Sequence, residues 1–179
     1  RRIGGPPSGT IEDLNPNEAI IEAPSNANIL NAVKVSGRTK KGLGVGFLNS
    51  ITERTYATIR DSVTGSTQKK LIEPITNYNV FVVDQVFNGN SSVSLINTNV
   101  LRDGSDYRDA NVTAGVFSIA DKENRFRTSG RAIFSNVNDG DGYKSGFQSE
   151  FDMFRTKGNL RYRVGHNFAN TTLDINDLG

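Results

Sequence analysis

Cysteine and tryptophan are absent from this 179-residue chain, and histidine and methionine occur once each. Without thiols there is no disulfide framework, no thiolate zinc site and no cysteine nucleophile. His166, the single histidine, leaves no imidazole partner for a catalytic or metal-binding triad. No stretch approaches the roughly 18 uninterrupted apolar residues that a membrane-spanning helix needs. Neither sign of charge dominates: 21 basic against 19 acidic side chains leave a net charge of +2, which gives no strong field for nucleic acid. The sequence opens at Arg1 with no initiator methionine and no signal pattern, so it reads as a processed or excised chain.

What is abundant is asparagine and glycine, 20 and 18 residues, a bias toward turns and β-structure and away from a helical bundle. Four of the five prolines (Pro6, Pro7, Pro16 and Pro24) fall early, so residues 1–28 read as an irregular lead-in, and residues 29–179 as the folded part. From Ile29 the period becomes two. Val33 and Val35 oppose Lys34, Ser36 and Arg38, a basic turn follows at Thr39 to Gly42, and Leu43, Val45 and Phe47 then alternate with Gly44 and Gly46.

Three further hairpins follow the same plan. Leu71 to Phe87 returns as Ser92 to Leu101 across Asn88-Gly89, Ala110 to Ala120 as Arg125 to Asn136 across Asp121 to Asn124, and Tyr143 to Phe154 as Leu160 to Phe168 across Arg155 to Gly158. The fold class expected is all-β, an antiparallel up-and-down meander of about eight strands without a crossover helix. Within the last hairpin Tyr143, Phe147, Phe151 and Met153 share one face, and Lys144, Gly146, Gln148, Glu150 and Asp152 the other. Leu160, Tyr162, Val164 and Phe168 likewise oppose Arg161, Arg163, Gly165 and Asn167. The acidic and basic polar rows are suited to cross-strand pairing. Such a split fits a soluble sandwich or a transmembrane barrel. Strand length favours the barrel, because a bilayer takes roughly 9–11 tilted residues where a sandwich strand averages about 5–6. Phe81, Val82 and Val83 are all apolar, so alternation does not assign that strand's faces.

Five strings in order carry a resemblance: RRIG at Arg1, ILNAVKVSGRTKKGLGVGFLNSITERTYA from Ile29, EPITNYNVFVVDQVFNGNSS from Glu73, LINTNVLRDG from Leu95, and DINDLG from Asp174. Together they resemble the family of unknown function that follows a carbohydrate-binding family 9 module in large outer-membrane proteins of Gram-negative bacteria. The resemblance implies an outer-membrane location, a carbohydrate-binding-like module before Arg1, and a β-barrel continuing past Gly179. The partners it implies are membrane lipid, the remaining strands of the same barrel or partner envelope proteins, and glycans through the upstream module. The alternatives are a soluble all-β carbohydrate- or protein-binding module and a glycoside hydrolase accessory domain.

No candidate site points to an enzyme or a cofactor. GLGVG, with Gly42, Gly44 and Gly46, has phosphate-loop spacing but lacks the strand-loop-helix context, and its glycines suit close packing inside a barrel. Glu150 and Asp152 stand in a row on one strand, whereas a glycosidase pair flanks its substrate; pairing with Arg161 and Arg163 is the better use. Asn136, Asn138, Asp139 and Asp141 resemble a calcium loop without its glycine and glutamate offsets. The Asn-X-Ser/Thr matches at Asn90, Asn111 and Asn170 follow from asparagine abundance. His166 shares its face with Tyr162 and Val164 and takes no ligand role. The remaining candidate is a set of lumen-facing charges: Lys34, Arg38, Lys144, Glu150, Asp152, Arg161 and Arg163. Such charges tune selectivity or bond one another to fill the interior.

Overall fold

In a computed structural model, residues 3–7, 14–104, 107–140 and 142–176 are described; the opening pair of RRIG, Asp141 of the calcium-like loop and the end of DINDLG lie outside them. The described residues contain strands and turns and no helix. The strands are β1 (Glu18–Glu22), β2 (Ile29–Arg38), β3 (Leu43–Thr52), β4 (Thr55–Asp61), β5 (Thr67–Glu73), β6 (Thr76–Phe87), β7 (Ser91–Arg102), β8 (Asp109–Ala120), β9 (Phe126–Asn138), β10 (Tyr143–Arg155) and β11 (Tyr162–Ala169).

Eight of them form one antiparallel sheet in the order β11-β10-β9-β8-β7-β6-β3-β2. It is the expected meander with one interruption. Between β3 and β6 the chain leaves to form β4 and β5, which join β1 in a separate three-stranded sheet, and returns so that Thr52 pairs with Thr76. The lead-in thus contains a strand, and the run read as one strand from Leu71 to Phe87 is two. Pro74 stands at the break, where its missing N–H cannot serve a ladder.

Turn chemistry closes the hairpins as local sequence dictates. Asn88 and Gly89 both adopt positive φ (52° and 72°), the conformation that Asn-Gly tolerates. At the β8–β9 turn the Asp121 carboxylate accepts the N–H groups of Arg125 (2.6 Å) and Phe126 (2.9 Å), with Asn124 at φ 52°. Asp61 does the same at the β4–β5 turn, accepting from Val63 and Thr64.

Cross-strand partners share a face, so the register assigns every side chain. One face of the large sheet is apolar: Val33, Val35, Val45, Phe47, Phe81, Val83, Leu95, Val93, Phe117, Ile119, Phe151, Met153 and Val164 all lie on it. The Phe81–Val83 ambiguity is thereby resolved, with Val82 on the opposite face. That opposite face has two zones. Toward the end where β3 departs it is a packed core of Tyr78, Val100, Ala110, Val112, Ile133 and Val137 with Ser50, Thr52, Thr76 and Ser135. The C-terminal segment covers part of this zone: Leu173 backbone lies against Gly146, the N–H of Asp174 donates to Ser135 Oγ, and Arg108 pairs with Asp174 at 2.8 Å. Toward the other end the same face is charged.

The sheet does not close. β2 and β11 are its two edges, every residue of both is exposed, and packing between strands runs between ladder neighbours rather than from the small sheet onto the large one.

Candidate functional site

The charged zone is built by three cross-strand ion pairs. Arg38 on β2 reaches over β3 to Asp84 on β6 at 2.6 Å. Residues two strands apart meet because the ladder position between them is Gly44. A Cβ there would lie 2.2 Å from Asp84 Oδ1 and 3.0 Å from Arg38 Nη2. Arg131 on β9 pairs with Glu150 directly opposite on β10, also at 2.6 Å. Arg163 on β11 donates through Nε and Nη2 to the two oxygens of Asp152, at 2.6 and 2.9 Å, a bidentate fork. Its guanidinium also lies 5.2 Å from the centroid of the Phe154 ring. Gly165, opposite Asp152, repeats the device of Gly44, since a Cβ there would lie 2.4 Å from Asp152 Oδ1. The glycines of GLGVG therefore serve side-chain clearance at Gly44 and a left-handed turn at Gly42 (φ 85°).

Six of the seven charges singled out from sequence lie on strands of this face, and the seventh precedes it. Lys34 and Arg38 belong to β2, Lys144, Glu150 and Asp152 to β10, Arg163 to β11; Arg161 precedes β11 outside the strand. The expected pairing holds for Asp152 with Arg163 and fails for Glu150, whose partner is Arg131 and not Arg161; Arg161 makes no ion pair with another described residue. Lys144 stands apart at the far end of β10, bonded to Asp139 at 2.5 Å. Asp84 and Arg131 complete the network and were not singled out from sequence. A charge in a strand opposite a glycine two ladders from an arginine is the signal that marks Asp84, and it is readable only once register is known. Among the described residues no group of three metal-ligating side chains gathers.

The apolar face carries a second polar feature. Asn49, Asn79, Asn99, Asn111 and Asn136 occupy one continuous ladder row across β3, β6, β7, β8 and β9, with Asn31, Asn77, Asn97 and Asn138 beside it. The carboxamides bond one another. Asn49 donates to Asn77 and Asn79 at 2.7 and 2.8 Å, Asn97 to Asn111 and Thr113 at 3.2 and 2.8 Å, and Ser145 to Asn136 at 2.7 Å. Asparagines that composition assigns to turns thus lie in strands. Beyond the row, Phe147 packs between Phe134 and Phe168 in tilted geometry, with centroids 4.8 and 6.3 Å away. Val45, Phe151 and Val164 of the same face are 43, 43 and 62% exposed, so no second layer of this chain covers them.

Outside the large sheet, backbone geometry tunes two carboxyls. The N–H of Phe126, and then Arg125, hold Asp121 below the usual carboxylate range. The N–H of Asn176, then the Arg108 guanidinium, lower Asp174 likewise.

No curated protein and no solved structure matches the chain. A family matches over residues 1–179, and the chain belongs to it: the family described as Domain of unknown function (DUF5916).

Proposed function

We propose that β2, β3 and β6 to β11 form consecutive strands of a bacterial outer-membrane β-barrel, a non-enzymatic segment whose apolar face meets lipid and whose ion-paired face lines the lumen. The observation that supports this is the two-faced sheet: β2, β3 and β6 to β10, strands of 10–13 residues, present large exposed apolar side chains on one side and paired charges on the other. A half-exposed antiparallel sheet in water turns its polar face outward, whereas a lumen wall turns it inward. The unpaired edges β2 and β11 then continue into further strands of the same barrel or into partner envelope proteins. Because Arg38, Arg131 and Arg163 each neutralise a carboxylate, the lumen charges brace and fill the wall, and a role in glycan handling falls to the whole protein rather than to this face.

The test is extraction of the full-length protein from cell envelopes. The reading expects it to resist alkaline carbonate, to require detergent, and to migrate differently on gels before and after heating. Release into buffer by carbonate alone would overturn it in favour of a soluble all-β binding module. Glycan binding by residues 1–179 in isolation would move the sugar site onto this chain.

A further inference from the structure

Strand β11 ends at Ala169, opposite Gln148, whereas its neighbour β10 runs on to Tyr143, so among the described residues the outer edge of β10 over 143–147 has no strand beside it. Backbone groups on such an edge need other partners. Asn170 and Thr172 supply them: Asn170 donates its N–H to the Phe147 carbonyl and accepts the Phe147 N–H on Oδ1, both at 3.0 Å, and the Thr172 hydroxyl donates to the Ser145 carbonyl at 2.6 Å. The Asn170-Thr171-Thr172 string thus lets the chain leave the ladder without orphaning it.

From there the chain turns onto the ion-paired face of the sheet, and Gly146 leaves room for it. A Cβ at Gly146 would lie 2.3 Å from Leu173 Cα and 2.6 Å from Leu173 N, so a side chain there and the segment as it stands exclude each other. Past β10 the Asp174 N–H donates to Ser135 Oγ on β9 at 3.1 Å, and Asp174 Oδ2 pairs with Arg108 Nη2 at 2.8 Å, just before β8 begins. Asp174 Oδ1 accepts the backbone and side-chain N–H groups of Asn176, at 3.1 and 3.0 Å, so both carboxylate oxygens are engaged. The Arg108 end is fixed from β7, where Arg102 donates its Nη1 to the Arg108 carbonyl and its backbone N–H to Asp109. Residues 170–176 therefore cross three strand spacings, about 14 Å, on one face of the sheet. They do so at the rim from which the inserted hairpin departs.

We infer that this segment is a strap across the lumen, a constriction at the rim that carries the inserted hairpin, seated by Gly146 and latched by the Arg108–Asp174 pair. The inference rests on the barrel reading, which makes the ion-paired face the lumen wall, and adds to it where the chain obstructs the lumen. The attachments suit an element that can lift: the latch side chains are 34 and 33% exposed, and Leu173 and Ile175 are only half-buried. A partly exposed ion pair holds weakly. Hydrophilic solutes are the class affected, since pore width and polar lining set what passes.

The test uses full-length protein carrying no cysteine other than the one introduced, with strap position and solute passage measured on the same preparations. In detergent, a water-soluble maleimide is expected to label Leu173→Cys more slowly than Lys157→Cys, which lies in the exposed connection between β10 and β11. Asp174→Lys sets like charges against each other at the latch and is expected to speed labelling at 173 by about fivefold. Gly146→Val is expected to speed it by filling the seat, whereas Gly46→Ala, on the same face away from the strap, leaves it unchanged. In phospholipid vesicles, swelling in the neutral trisaccharide raffinose is expected to run about twice as fast or more with Asp174→Lys or Gly146→Val as with the parent. Asp174→Lys alters a partly exposed side chain, so that arm is read even where Gly146→Val does not fold. Labelling at 173 as fast as at 157 in the parent, unchanged labelling in Asp174→Lys, or faster labelling without faster swelling each overturns the strap and leaves the barrel standing. Release of the parent protein from the vesicles by alkaline carbonate overturns the barrel reading itself.

Discussion

Gly44 stands in the ladder between Arg38 and Asp84 and lets their side chains meet over an intervening strand. Gly44→Val puts a branched side chain where the bridge runs. The bridge between partly exposed groups contributes about 0.2–1 kcal/mol, and forcing volume into a packed position costs about 1–3 kcal/mol. The expected loss is therefore about 1–3 kcal/mol in a denaturant titration, while Gly46→Val, where a Cβ meets only Val82 at an ordinary 3.8 Å, costs less. Equal losses at the two positions would contradict the assigned role of Gly44. Asp121 makes a separate prediction about pH. The Phe126 N–H and Arg125 favour its charged form in the folded turn, so its folded titration point lies below the unfolded one. Its contribution is full above about pH 3.9, the unfolded value, and is lost as pH falls through the lower folded value. Amide exchange at Arg125 and Phe126 is expected to be protected at neutral pH, and Asp121→Ala to accelerate it by about five- to tenfold. Unchanged exchange in that variant would remove the carboxylate from the turn's support.

Strands are where reading the sequence alone succeeds and fails for identifiable reasons. β2, β8, β9 and β10 were legible because long apolar side chains alternate with polar ones and turn residues punctuate them. β4 was not: Thr55, Ala57 and Ile59 are its inward row, and threonine and alanine give alternation little contrast. Asp61 and Gly65 of its turn, and Pro74 at the end of β5, are the signals that mark the inserted hairpin. In the candidate site, same-strand faces were legible, but partners were not. The choice of Arg131 over Arg161 for Glu150 is decided by register, which no single strand contains. The edge strand β11 depends on β10 through ring contacts as well as the ladder. Phe147 links Phe134 on β9 to Phe168 on β11, and two such aromatic pairs contribute about 1–3 kcal/mol beyond area burial. Phe147→Leu keeps the face apolar and is expected to lower the unfolding midpoint and speed proteolysis between residues 156 and 161. Unaltered cleavage there would mean that the ladder alone holds β11.

Taken as a whole, the molecule presents an open sheet with two exposed edges and one uncovered apolar face. Residues 1–179 produced alone in buffer are expected to associate in a concentration-dependent way, measured by light scattering, with Val35→Lys or Val164→Lys reducing it by placing charge on an edge. A monodisperse monomer at every concentration would show that the edges are inert. The inserted hairpin offers a different handle. Because Thr52 pairs with Thr76 as though residues 53–75 were a tight turn, the meander keeps its register whatever hangs between them. Under the barrel proposal, a reporter tag spliced at Val63-Thr64 would ride outside the ladder and announce to a membrane-impermeant antibody on which side of the envelope that rim of the sheet emerges.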